Sequence, residues 1–115
     1  MRDFEWAYRL NVFSTFRLIQ LYAPHMRRAG GGAVLNISSM AGENANSVMS
    51  SYASSKAAVN HLTRNIAYDL GRRDIRANEI APGAIKTHAL GDGPDTRDRA
   101  AEGCRDSAGA TRTAW

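Results

Sequence analysis

Residues 33–81 read AVLNISSMAGENANSVMSSYASSKAAVNHLTRNIAYDLGRRDIRANEIA, and this stretch decides the fold. Its opening, Ala33-Val34-Leu35-Asn36-Ile37-Ser38, is a short apolar run between turn residues, the pattern of a buried parallel strand. Residues 39–49 read as a loop. From about Ser50 the spacing predicts a helix to Leu70, stopped by Gly71 in the left-handed capping position. Ala53, Ala57, Leu62, Ile66 and Leu70 are its expected buried side. Asp74 to Ala81 predicts a second strand, closed by Pro82-Gly83. Strand, crossover helix and strand make one βαβ unit, for which a right-handed connection is expected.

Working outward, the segment before the first strand predicts a long helix with Asp3 as N-cap. It carries Phe4, Ala7, Leu10, Phe13, Phe16 and Gln20, with Val12, Leu18, Ile19, Leu21 and Tyr22 on other faces. So wide an apolar girth suits a helix packed on two sides. Pro24 should kink or loosen it, because the ring removes a donor and clashes one turn back. Arg27 and Arg28 sit where cations favour a helix end, and Gly30-Gly31-Gly32 terminates it. Beyond residue 90 the composition changes. Residues 91–115 hold one large apolar residue, Trp115, among Gly, Ala, Thr, Arg and Asp. Such a tail buries too little to offset its ordering entropy, and we expect it to be disordered or adventitious.

The whole chain of 115 residues has room for one small domain, and 43% hydrophobic with 23% charged residues is ordinary globular composition. No apolar run is long enough to span a bilayer, and no segment reads as a secretion signal. The single cysteine, Cys104, can neither staple a fold nor build a zinc site, so a reducing cytoplasm is the expected compartment. A net charge of +4 invites a nucleic-acid reading. Against it, Arg27/Arg28 and Arg72/Arg73 fall at predicted helix ends, where dipole compensation explains them. No basic stripe interleaved with aromatics is present.

The residues that carry chemistry are Tyr52 and Lys56. Four apart near a helix start, they project from one face. An ammonium beside a phenol favours the phenolate, moving a pKa of about 10 toward the working range of a general acid or base. Ser39 follows the first strand at its carboxyl end, where open α/β sheets place their ligand sites. Its hydroxyl there is able to hold a substrate oxygen for proton exchange with Tyr52. A serine hydrolase is the rival reading from Ser38, Ser39, His25, His61 and His88, but no Gly-x-Ser-x-Gly elbow is present. None of the histidines has metal-ligand spacing with an acid or cysteine, so no metal is expected.

Several separated motifs, in order and in register, resemble the classical short-chain dehydrogenase/reductases. They are Ser39-Met40-Ala41-Gly42, Tyr52-Ala53-Ser54-Ser55-Lys56-Ala57-Ala58, Ile75-Arg76-Ala77-Asn78 and Pro82-Gly83-Ala84-Ile85-Lys86-Thr87. Asn11 in Leu10-Asn11-Val12-Phe13 resembles the family's helix asparagine. Within the family, Asn11-Val12-Phe13-Ser14, Ser39 to Asn44 and Ser51-Tyr52-Ala53-Ser54-Ser55-Lys56-Ala57-Ala58 look most like the bacterial 7α-hydroxysteroid dehydrogenases. The resemblance implies an α/β fold, the helix-plus-βαβ centre of a Rossmann-type doubly wound sheet over residues 1–90. It implies hydride transfer between NAD or NADP, with NAD favoured, and a secondary alcohol or ketone, a 7α-hydroxysteroid among them.

By the same resemblance Tyr52 is the acid/base, and Lys56 lowers its pKa and holds the nicotinamide ribose. Ser39 stabilises the carbonyl or alkoxide, and Asn11 holds a water on the proton path. Ile85, Lys86 and Thr87 hold the carboxamide, Pro82-Gly83 shapes the wall beside the ring, and Asn44 contacts substrate. Assembly into a dimer or tetramer through the two long helices is also implied, with no nucleic-acid or membrane partner. The family's chain is much longer, and its glycine-rich pyrophosphate turn would lie upstream of Met1. We therefore expect a truncated stretch, with Met1 internal to a longer reading frame and 91–115 out of frame or unrelated. The alternative function is an inactive remnant lacking the dinucleotide-binding half. Two residues depart from the family pattern: Ala77, where valine is favoured, and Glu79, a carboxylate inside a strand that needs a partner or water.

Overall fold

A computed structural model of the chain describes residues 1–45 and 49–85. Lys86, Thr87, His88, Cys104 and the expected tail 91–115 lie outside the described residues. Helix α1 (Arg2–Tyr8) passes through a π-helical turn (Arg9–Phe13) into α2 (Ser14–Arg28). Strand β1 (Gly32–Ile37) comes next, then a 3₁₀ turn (Met40–Gly42), helix α3 (Ser50–Gly71) and strand β2 (Ile75–Ile80). The strands pair in parallel, with Gly32 opposite Ile75 and Ile37 opposite Ile80. This is the expected helix followed by one βαβ unit, with strand ends displaced by one or two residues.

The first helix departs from expectation in two places. Its cap is Met1, and Asp3 lies inside the first turn, where its charge still favours the helix dipole. An irregular turn lies at Arg9–Phe13, well before Pro24, and α2 runs through Pro24 to Arg28. There the hydroxyls of Ser14 and Thr15 donate to the carbonyls of Leu10 and Asn11, the second at 2.7 Å. Side chains that compete for the backbone in this way loosen the i to i−4 ladder, and a π turn is one outcome.

Two corrections concern α3 and the turn that leads from it into β2. Gly71 is not a left-handed cap: it ends the helix and Arg72 continues in right-handed geometry. The left-handed residue is Asp74, at φ 56°. Its carbonyl accepts from the Gly32 amide at 3.1 Å, which aligns the starts of the two strands. Gly31 is required beside it, since a Cβ there would meet the Asp74 oxygen at 2.7 Å. The expected buried side of α3 is also rotated. Ser55, Val59, Asn60, Thr63 and Ile66 are buried, Ala57 is exposed, and Ala53, Leu62 and Leu70 are only half-buried.

The core this produces is as polar as it is apolar. Ala7, Ile19, Val59, Ile66 and Ile75 are buried alongside Asn36, Ser38, Ser55, Asn60 and Thr63. The polar members satisfy one another, as buried polar groups must. Asn36 Nδ2 donates to Thr63 Oγ1 at 2.8 Å, and Thr63 Oγ1 donates to the Val59 carbonyl at 2.8 Å. On the sheet, Gly32, Val34, Asn36, Ile75, Ala77 and Glu79 are covered wholly or in part, whereas Ala33, Leu35, Ile37, Arg76, Asn78 and Ile80 are exposed. Leu35 and Ile37 thus lack cover, as their position in a two-stranded sheet leads one to expect.

Glu79 is the exception to polar satisfaction among the described residues. Its Oε2 is buried without a hydrogen-bond partner. A buried acceptor left unpaired costs about 1–3 kcal/mol. Glu79→Val removes that oxygen and places a β-branched residue in the strand. The variant is expected to melt several degrees above the parent by circular dichroism, and an unchanged or lower midpoint would show that the carboxylate is accommodated.

Candidate active site

The carboxyl ends of both strands and the first two turns of α3 meet at one end of the sheet. The Ser38 amide donates to the Ile80 carbonyl at 2.8 Å, and the Met40 amide to the Pro82 carbonyl at 3.0 Å. Ser39 therefore stands between two residues tied to the chain leaving β2. Its own hydroxyl caps the 3₁₀ turn, accepting from the Ala41 amide at 3.2 Å. This turn is seated directly on α3: a Cβ at Gly42 would lie 2.7 Å from the Ala57 nitrogen and 2.8 Å from the Lys56 carbonyl carbon.

Tyr52 and Lys56 face this junction from the first turns of α3, both half-buried. The Lys56 ammonium lies 5.7 Å from the centroid of the Tyr52 ring and donates to the Ile37 carbonyl at 2.9 Å. Helical spacing supplies the first relation, and the strand end supplies the second. Asn11 reaches the same helix from the π turn, its amide donating to Ser55 Oγ at 2.9 Å while Ser55 donates to the Tyr52 carbonyl at 2.7 Å. Asn11 is thus joined to the turn that carries Tyr52 and Lys56.

The remaining predicted residues lie around this centre. Pro82 is half-buried beside Met40, and Gly83 and Ile85 are exposed beyond it. Asn44 is exposed just past the 3₁₀ turn, its amide donating to the Met40 carbonyl at 3.0 Å. Lys86 and Thr87 lie outside the described residues. A nicotinamide dinucleotide suits this donor set. An ammonium has three N–H groups, and Lys56 uses one on Ile37, leaving two for vicinal ribose hydroxyls.

The rival readings find less. His25 stands at the end of α2 with Nδ1 2.9 Å from an Arg28 nitrogen, and His61 is exposed on α3. Ser38 is buried against Asn60 and the Lys56 carbonyl instead of a histidine. Arg27, Arg28, Arg72 and Arg73 lie at or just past the carboxyl ends of α2 and α3, away from Tyr52. Among the described residues no group of three His, Cys, Asp or Glu is arranged to hold a metal ion. No helix among them is long and apolar enough to cross a membrane.

Sequence reading missed four residues that build the site's frame: Asn36, Ser55, Asn60 and Thr63. The available signal was an asparagine inside an apolar strand, and small polar residues recurring on the inner side of the next helix.

Comparison with known proteins places the site in context. A family model described as short chain dehydrogenase matches residues 1–98. The chain is 63% identical over 90 residues to 7α-hydroxysteroid dehydrogenase of Escherichia coli, covering 78% of this chain and 35% of that protein. A solved 7α-hydroxysteroid dehydrogenase complexed with NADH and 7-oxo glycochenodeoxycholic acid superposes with a TM-score of 0.76 at 63% identity, over 78% of this chain and 35% of that one. A gluconate 5-dehydrogenase from Burkholderia cenocepacia in complex with NADP and tartrate reaches 0.79 at 34% identity, over 88% and 41%. The chain spans about a third of the length of the curated relatives it matches.

Proposed function

The chain belongs to the short-chain dehydrogenases, and from that premise we propose that the protein transfers hydride between a nicotinamide dinucleotide and a secondary alcohol or its ketone, with a 7α-hydroxysteroid as substrate. The observation that carries this reading is the Lys56 ammonium held between the Tyr52 ring and the end of β1. The identity to the Escherichia coli enzyme supports the steroid class. NADH in one similar structure and NADP in another are both compatible with the donor set, and the steroid resemblance favours NAD.

When bound, the dinucleotide supplies a hydride acceptor or donor at its nicotinamide carbon. Ser39 holds the substrate oxygen by its hydroxyl. Tyr52 exchanges a proton with the substrate oxygen, taking it from the alcohol in oxidation and returning it to the developing alkoxide in reduction. Lys56 gives its free N–H groups to the ribose. Asn11 holds a water that passes the proton outward from Lys56. Pro82 and Gly83 wall the nicotinamide, with Ile85, Lys86 and Thr87 on its carboxamide, and Asn44 contacts the steroid. The lone cysteine of the chain suits a reducing compartment, so we assign the protein to the cytoplasm. The exposed Phe4, Phe13 and Phe16 of the first helix suit assembly into a dimer or tetramer.

Titration with NADH and with NADPH, followed in separate samples by absorbance at the reduced nicotinamide band on adding a 7α-hydroxy bile acid together with NAD+ or NADP+, tests the reading. Binding of NADH, and appearance of NADH from NAD+ as the alcohol is oxidised, are expected. Binding of neither dinucleotide, or turnover of simple alcohols with none of the bile acid, would remove the enzyme or the steroid assignment respectively.

A further inference from the structure

Ser39 and Tyr52 come from separate elements, so something must fix the strand end against the helix. The obvious tie is the Lys56 amine on Ile37, but that amine is also the group assigned to the cofactor. A second tie lies immediately beneath it. Ser38, 3% exposed, donates its hydroxyl to Asn60 Oδ1 and lies 3.3 Å from the Lys56 carbonyl. Asn60, 7% exposed, stands one helical turn beyond Lys56 on the buried side of α3. Ser38 therefore touches the helix backbone at Lys56 itself, while its neighbour in sequence is Ser39. Hydrogen bonds are directional, and a buried partner left alone is costly, so this contact holds the helix in one axial and rotational setting.

We propose that Ser38 and Asn60 are a positioning pair that keeps the Tyr52–Lys56 turn in register with Ser39. The inference rests on the reading of those three residues as the acid–base site. Both members of the pair are buried. They act through the Lys56 carbonyl and the strand end, and a shift of about 1 Å between reacting groups is enough to cost about a hundredfold in rate.

Two lysines, Lys56 and Lys86, make the pair testable without catalysis. Ser38→Ala, Asn60→Ala, the double variant and Ser38→Thr are labelled with acetic anhydride, and each amine is followed by peptide mass spectrometry with Lys86 as internal reference. In folded protein, loss of either partner is expected to raise Lys56 labelling several-fold. The double variant should match the worse single one, and Ser38→Thr, which keeps the hydroxyl, should stay near the parent. In turnover, kcat is expected to fall by about 10- to 100-fold in the first three variants with KM within about twofold. Unchanged labelling in variants that melt cooperatively, or fully additive effects in the double variant, would overturn the pair. Parent protein that turns over no alcohol while its Lys56 labelling responds as described would sink the acid–base reading and leave the positioning pair standing.

Discussion

Tyr52→Phe is expected to lower kcat/KM by about 10²- to 10⁴-fold while leaving dinucleotide binding and the melting transition close to the parent's. The substitution removes one oxygen and keeps the ring, together with its approach to the Lys56 ammonium at 5.7 Å. What is lost is the phenolic hydroxyl to which we assign proton exchange with a substrate oxygen held by Ser39. Lys56→Met tests the neighbouring role and should differ in kind. It removes both the ammonium that lies beside the Tyr52 ring and the N–H groups assigned to the ribose, so kcat is expected to fall and dinucleotide binding to weaken together. Stopped-flow fluorescence of the reduced cofactor separates the two effects. Tyr52→Phe with turnover within threefold of the parent would end the acid–base assignment.

The second large effect is expected at a residue with no functional group. In Gly42→Ala the new methyl would sit 2.7 Å from the Ala57 nitrogen, 2.8 Å from the Lys56 carbonyl carbon and 3.1 Å from the Lys56 Cβ. Two of those three atoms are helix backbone and cannot swing aside. The 3₁₀ turn must lift from α3, carrying Ser39 at its start away from the helix that bears Tyr52. Overpacking of this kind costs about 1–3 kcal/mol, and the displacement should cost about a hundredfold in turnover. Gly71→Ala is the matched control, because a Cβ there meets nothing within 4 Å and the residue is helical. That variant is expected to be neutral or slightly stabilising, since alanine is the better helix former. Equal behaviour of the two variants in melting and turnover would refute the close-packing argument.

What the sequence disclosed and what it concealed divide along a physical line. Tyr52 and Lys56 were legible because their relation is internal to one helix, where spacing alone puts two side chains together. Strands β1 and β2 were legible because an apolar run between turn residues has few other uses. The rotated face of α3 was not, because hydrophobic periodicity assumes an apolar interior. Here three of the five buried positions are Ser55, Asn60 and Thr63, and their partners Asn11, Ser38 and Asn36 lie far away in sequence. A polar residue looks like a surface residue until its partner is known. Gly71 misled for a related reason: the left-handed turn falls at Asp74 because its carbonyl must reach Gly32 on the other strand, a requirement set by sheet pairing. The π turn at Arg9–Phe13 leaves only the faint trace of Ser14 and Thr15 shortly after Asn11.

The seam between α3 and its neighbours has a consequence for how this protein can change over generations. A greasy interface tolerates one-at-a-time substitution, since any hydrocarbon of similar bulk will serve. The seam here works more like a key cut for one lock. Asn36 with Thr63, Ser38 with Asn60 and Asn11 with Ser55 are each half of a matched set. A lineage that alters one half strands the other in a dry place, so viable descendants should alter both together or neither, while the outward side of the same helix drifts freely.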